Sequence, residues 1–322
     1  MSQADMVVFN QYVMPAIAEV FPQMIDKFNA GSNNTIILNS NNFDGDFMEQ
    51  SFYTALHTSQ RRVDRYAANA AQAGTDLTQD QINKVKIAGG FGPIVFEPSQ
   101  LTWLRKPTQE GIEIAAGQFA EALLGDQLNT ALAALVAGIG NNAAVVNDVS
   151  GTGKATQSAI NAGLAKFGDA SQMIQALVMT GVQYHNLVGD AITNSNNLFE
   201  IGGVAVRDGS AFGQGRPIIV TDAPALRVAG PFQNVLGLVA SAAVVSDGND
   251  IITNIETTNF KQRIETSMQT DYTFGLGLKG YSWDETNGGK SPSDAALATG
   301  TNWDKVVSSD KHTAGVLIIG QE

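Results

Sequence analysis

The clearest regularity in the chain is a period of two. Between Lys261 and Lys279 the even positions hold Ile264, Met268, Tyr272, Phe274, Leu276 and Leu278, while the odd positions hold Arg263, Glu265, Gln269 and Asp271. Successive side chains of an extended chain point to opposite faces, so this segment has one apolar and one polar face. The pattern predicts a strand of roughly fifteen residues, about 50 Å long, against a usual length of about five or six residues. A second signal has helical spacing. Ile112, Ala115, Phe119, Leu123, Leu132, Leu135 and Ile139 recur every three or four residues. Pro107 suits a helix start, Thr108 can cap it, and Gly138 and Gly140 end it. About thirty residues of helix span about 45 Å. Two elements of matched, unusual length predict one elongated, flat domain.

Shorter patterns surround this pair. Met6, Phe9, Val13, Ile17, Val20, Met24 and Phe28 form one apolar stripe, interrupted by Pro15 and Pro22. Such a helix either docks on its own domain or lies as an arm on a neighbour. Ile36 to Leu38 is a short strand among turn-forming residues. Residues 150–245 pattern as a compact α/β unit, with helices at Ala155 to Phe167 and Val182 to Val188. Its strands are Met173 to Met179, Arg216 to Thr221 and the apolar run Val235 to Val245. The expected class is therefore α+β. A terminal arm occupies 1–32, an extended loop with flanking strands 33–100, and the elongated domain 101–145 plus 246–322. The α/β unit is inserted at 146–245.

From Asp44 to Pro98 the sequence is polar and broken, with RRVDRY (Arg61 to Tyr66) and KVKIAGGFGPIVF (Lys84 to Phe96) but no convincing core helix. A segment this long and weakly patterned inside a compact domain predicts an excursion that finds its partners elsewhere.

Composition sharpens this picture. Among 322 residues there are 19 Lys plus Arg and 31 Asp plus Glu, a net charge of −12, and charged residues make up only 16%. That balance excludes binding nucleic acid by neutralising phosphates. Sparse charge also predicts that much of the outside is covered by other chains. With no Cys, disulfides, thiolate metal sites and Cys nucleophiles are excluded. The start has no basic n-region, so no secretory signal is expected. The run Val228 to Ser246 contains Pro231, Gln233 and Asn234, and its apolar core is too short for a membrane helix.

Catalytic motifs fail on inspection. In SGTGKAT (Ser150 to Thr156) a phosphate loop would need Gly where Asp148 stands and Ser or Thr where Ala155 stands. In SNNFDGDFMEQ, placing Gly45 as the invariant glycine of a calcium loop puts Ser51 where the bidentate Glu belongs. His57, His185 and His312 are far apart, and His185 is expected to pack in its helix. No GxSxG elbow occurs. No catalytic residue, cofactor or metal is expected. The basic cluster Arg61, Arg62, Arg65, Lys84 and Lys86, with Asp64 among them, stands out in an acidic chain. It is either a solvated loop or a projection that meets acidic patches on another copy.

Taken in order, these segments resemble the major capsid protein of tailed bacteriophages, the fold named for phage Hong Kong ninety-seven and shared with encapsulins. The resemblance rests on the stretch from Phe9-Asn10 to Phe28-Asn29 followed by NNFDGDF, on RRVDRY, and on AAGQFAEALLGDQLNTALAAL in the long helix. It continues through IQALVMTGVQYHNLVGDAI, GRPIIVTDAP and the closing SPSDAALATGTNWDKVVSSDKHTAGVLII. It covers almost the whole chain, and no single motif is diagnostic. It implies an N-arm, an extended E-loop, an elongated P-domain with a spine helix, and an inserted A-domain. It further implies self-assembly through pentamers and hexamers into an icosahedral virion capsid around double-stranded DNA, made in the host bacterial cytoplasm without a membrane. DNA would be packed without sequence-specific binding, and an acidic wall would avoid sticking to it. Scaffolding and portal proteins are the expected partners, with a decoration protein as an option. The short stretch before the excursion, without a long charged prefix, leads us to expect either a separate scaffolding protein or a chain shown after maturation, with Met1 favouring the former. An encapsulin-like compartment and an α/β enzyme with an unrecognised site are the alternatives.

Overall fold

The structure, a computed structural model, describes residues 20–42, 45–54, 62–68, 71, 78–96, 108–193, 216–228, 230–248, 250–259 and 262–322. Its first sheet is built around β11, Glu265–Leu278. The period of two holds there: Thr266, Thr270, Tyr272, Phe274, Leu276 and Leu278 are buried, whereas Gln269 and Asp271 are exposed. One edge of β11 pairs with β3, Thr78–Phe96, from Thr266 opposite Phe96 to Leu276 opposite Val85. The other edge pairs first with β10, Ile252–Thr258, and then with β9, Ala243–Asp247. Strand β1, Ile36–Asn42, runs parallel to β9 at the sheet's end. Past a tight turn, β12, Tyr281–Trp283, pairs with β13, Trp303–Lys305.

Strand β3 changes the expectation for residues 44–98. The segment was expected to find its partners elsewhere, yet Val85 and Ile87 sit in the core and ten residues of β3 pair with β11 of the same chain. Strand β2, Phe47–Thr54, folds back on β3, with Phe47 opposite Val85 and Thr54 opposite Thr78. Register slips by one residue near Gly92, whose φ is 103°. A Cβ there would stand 2.7 Å from the Met268 carbonyl oxygen, so only glycine fits the bulge.

The predicted long helix is α2, Thr108–Gly140. Its Ala120, Leu123, Ala131, Leu132, Leu135 and Ile139 are buried. Phe119 meets Phe91 of β3 edge-on at 5.0 Å, and Phe91 lies 5.4 Å from the Tyr272 ring. The Tyr272 hydroxyl donates to Asp126 Oδ2 at 2.6 Å, and burial together with that carboxylate raises the phenol's pKa above its usual range. The stretch Gly117–Gly140 is apolar and long enough to cross a membrane by composition, but more than half of its most apolar eighteen-residue window is buried inside this chain, as expected of a core helix.

A second sheet runs β4-β14-β8-β5-β6, with β7 paired to β8. Its strands are β4, Val146–Asp148; β5, Ile174–Met179; β6, Ile218–Val220; β7, Arg227–Val228; β8, Phe232–Val239; and β14, Gly315–Gln321. Two expectations are corrected here. The run Val235 to Val245 is not one strand: β8 belongs to the second sheet, β9 to the first, and Ala240 to Ala242 turn between them with Ser241 at φ 57°. And although 246–322 was expected to accompany the long strand, β14 lies inside the second sheet, between β4 and β8. Helix α3, Gln157–Leu164, is capped by Thr156 and continues as 3-10 turns to Met173, while α4 spans Gly181–Thr193. Gly163 and Gly237 let α3 approach this sheet: a Cβ on Gly163 would stand 2.4 Å from Ile318, and one on Gly237 would stand 3.2 Å from Leu164.

The end of α2 lies where the sheets meet. A Cβ on Gly138 would stand 3.1 Å from Leu278 and 3.5 Å from Trp303, and one on Gly140 would stand 3.5 Å from Leu317. Here Asp310 Oδ1 accepts from Lys305 Nζ at 2.5 Å and from Asn142 Nδ2 at 2.8 Å, which holds its carboxyl below the usual range. Trp283 and Trp303 stack edge-on at 4.9 Å. Burial pushes the nearby Tyr281 phenol up to about 12.

Of the N-terminal stripe, Met6 to Ile17 lies outside the described residues. Residues 20–31 form a helix, α1, that docks on its own chain through Phe21 and Ile25. From α1 the Asn29 amide donates to the Leu38 carbonyl at 2.7 Å and accepts from the Leu38 N–H at 2.9 Å. One side chain thereby takes the place of a neighbouring strand along the open edge of β1.

Candidate functional site

For a chain without assembled catalytic motifs, the candidate site is a surface that meets other molecules. The hairpin β2–β3 ends at Thr54 opposite Thr78, and RRVDRY belongs to the connection between them. Arg62, Val63, Asp64, Arg65 and Tyr66 are exposed, Val63 at 65% and Tyr66 at 92%. Asp64 shapes this turn by accepting from the Tyr66 N–H at 2.9 Å. The Arg65 guanidinium carbon stands 5.9 Å from the centre of the Tyr66 ring. Arg and Tyr displayed together beside an exposed valine have the composition of an interface anchor. Arg61 lies outside the described residues.

Lys84 and Lys86 are placed differently. They alternate on β3 with buried Val85 and Ile87 and so share the opposite face. Lys84 lays its stem over Gly277, where a Cβ would approach Lys84 Cγ to 2.6 Å. Lys86 Nζ binds Asp250 Oδ2 at 2.8 Å, and the Thr273 hydroxyl donates to the same oxygen at 3.0 Å. Those two hydrogen bonds, Lys86 first, hold the Asp250 carboxyl below its usual range. The five described positions therefore divide. Arg62, Asp64 and Arg65 lie in the connection beyond the hairpin ladder, Lys84 and Lys86 lie in the sheet, and Lys86 already answers an acid of its own chain.

Sequence reasoning missed a further exposed group on the same sheet. Ile94 and Val95 of β3 are each 57% exposed and Ile252 of β10 is 67% exposed, while Ile264, expected on the apolar face of the long strand, lies just before β11 and is 55% exposed. Val95 pairs with Ser267, and Ile252 with Asp271, so both lie on the face of β11 that is otherwise polar. The signal was available in the apolar run of GPIVF, which broke the polar character of its surroundings.

The weighed motifs also have positions. The SGTGKAT loop fastens β14: Gly153 O accepts from the Gln321 N–H at 2.9 Å, and Ser150 O accepts from Gln321 Nε2 at 2.7 Å. His185 was expected to be packed but is exposed on α4, 5.6 Å from the Tyr184 ring. Among the described residues no three His, Cys, Asp or Glu side chains gather as a metal site.

Comparison with solved structures places this fold among phage proteins. The capsid asymmetric unit of cyanophage Pam1 is 12% identical with a TM-score of 0.55, covering 89% of this chain and 88% of that one. A chain from Mycobacterium phage Bobi is 14% identical with a TM-score of 0.52, covering 88% and 89%. The head structure of Helicobacter pylori bacteriophage KHP40 is 10% identical with a TM-score of 0.52, covering 90% and 88%. Curated proteins give no match. At such identities the likeness speaks for the fold. The family evidence comes from the sequence itself, where the family described as major capsid protein 13-like matches residues 5–317. With nearly the whole length matched, the chain belongs to the major capsid protein 13-like family.

Proposed function

We propose that copies of this chain close into pentamers and hexamers and build an icosahedral shell around double-stranded DNA. Family membership over residues 5–317 carries this reading: it makes the chain a structural component of the phage virion capsid and points to a non-enzymatic role. A match to a major capsid protein family also leaves the encapsulin-like compartment without support. In this reading α2 is the spine of the P-domain together with β11, and the second sheet with α3 and α4 is the A-domain. The β2–β3 hairpin and its connection form the E-loop, and α1 is the docked end of the N-arm. Arg61, Arg62, Asp64 and Arg65 are the intersubunit contacts, and Lys84 is available to extend them. Exposed Arg62, Arg65 and Tyr66 support that role. Scaffolding and portal proteins are the other partners, and the acidic balance keeps packed DNA from adhering to the wall.

The test is purification of the full chain with and without a co-expressed scaffolding protein, followed by electron microscopy and light scattering. Closed particles or capsomers are expected. A monomer at every concentration under both conditions would overturn the reading.

A further inference from the structure

We propose that one buried water molecule sits between α4 and the start of α3, bonded by Gln183, Asn186 and Gln157. Gln183 is 1% exposed, and its Nε2 donates to the Ala155 carbonyl at 2.6 Å. That bond fixes the amide's orientation, since a flip would set two oxygens against each other. Its Oε1 then points into the protein with no hydrogen-bond partner. Asn186 Nδ2 and Gln157 Oε1 are buried and unpartnered as well. Gln183 and Asn186 are three residues apart on α4, so they share a face with Cβ atoms about 5–6 Å apart. Gln157 opens α3, two residues beyond the Ala155 whose carbonyl Gln183 holds.

Neighbouring polar groups are already matched. The Thr180 hydroxyl donates to Gln233 Oε1 and accepts from the Gln183 N–H. What is left is two acceptors and one donor. Water has two O–H donors and lone pairs to accept, and buried waters typically make about three such bonds. An ammonium or metal cation would suit the oxygens but oppose the Asn186 N–H. An anion would suit that N–H and oppose both oxygens. The donor count therefore selects a neutral molecule small enough to fit between side chains of one helical turn. Held this way, the water ties α4 to α3 through side chains that do not reach each other directly.

The first test is a map of the full chain, crystalline or assembled, that shows ordered water. A peak about 2.7–3.2 Å from Gln183 Oε1, Asn186 Nδ2 and Gln157 Oε1 is expected. Three results overturn the proposal: no peak, a direct Gln183–Asn186 hydrogen bond, or a peak touching only oxygens at about 2.3–2.6 Å, the spacing of a cation. The second test is a double-mutant cycle on urea unfolding with Gln183→Met and Asn186→Leu. Each single change is expected to raise the unfolding constant about tenfold, because it strands the other amide. The double variant is expected to fall at least threefold short of the product. Effects that multiply within a factor of two overturn the shared water.

Discussion

Excising residues 55–77 separates what folds this chain from what assembles it. Thr54 and Thr78 face each other at the end of the β2–β3 ladder, and directly opposed residues in an antiparallel pair stand about 4.5–5.5 Å apart. A two-residue Asn-Gly turn bridges that gap. The excision removes exposed Arg62, Val63, Asp64, Arg65 and Tyr66, and none of the described residues it removes is buried. Replacing twenty-three connecting residues by two lowers the cost of closing the hairpin by about 2 kcal/mol, from the logarithm of the length ratio. The variant should therefore be soluble and at least as stable as the parent. The buried Trp283–Trp303 pair supplies a fluorescence signal for urea unfolding. Electron microscopy of the same preparation should find no stable shells. Shells of normal size would show that the connection does not join subunits, and an insoluble or less stable chain would show that it belongs to its own body. A wider cut over 50–90 would not test this, because it removes Val85 and Ile87 from the core.

Three further outcomes follow from particular contacts. Gly315→Ala would set a Cβ 2.1 Å from the Gly237 carbonyl oxygen on β8; overpacking against backbone should cost at least about 1–3 kcal/mol in urea unfolding, and an unchanged midpoint would contradict the β14–β8 register. Asn29→Ala removes both hydrogen bonds to Leu38; a loss of about 1–3 kcal/mol, with faster aggregation by light scattering as the β1 edge opens, is expected, and neither change would refute the edge-sealing role. Lys305, and then Asn142, depress the folded-state pKa of Asp310. Its stabilisation is therefore complete above the unfolded value of about 3.9 and disappears as pH falls through the lower folded value. Asp310→Asn should flatten the loss of stability between pH 5 and pH 3, and equal slopes for both proteins would refute that linkage.

The long strand and long helix were legible because each buries one face while its period is undisturbed: Tyr272, Phe274 and Leu276 for one, Leu123, Leu132 and Leu135 for the other. The division of Val235 to Val245 between two sheets was not. All of β8 after Phe232 is buried, as are Ala243 and Val245, and a run buried on both faces carries no period to mark its break. Only Ser241, held at positive φ, lies at the join, and a serine does not announce that conformation. Strand β3 was half visible: Lys84-Val85-Lys86-Ile87 alternates, but Gly89, Gly90, Gly92 and Pro93 read as breakers. The glycines fit because the Tyr272 ring, the Asp271 carboxylate and the Met268 carbonyl occupy the space a side chain would need at Gly89, Gly90 and Gly92. The placement of β14 depends on pairing with β8 and β4, far away along the chain, which no local pattern encodes. Among the candidate contacts, exposure of Arg62 and Arg65 agreed with their charge in an apolar-poor stretch, while the Lys86–Asp250 pair joins residues 164 positions apart.

The three-residue passage from Val239 to Ala243 has a mechanical corollary. It leaves almost no slack between two hydrogen-bonded ladders, so a pull on β11 reaches β8 along covalent backbone once it has crossed to β9. A wall tile wired in this manner distributes strain between its halves instead of flexing at a soft joint. Lengthening that passage by a few glycines would install the joint, turning a stiff plate into a pair of leaves.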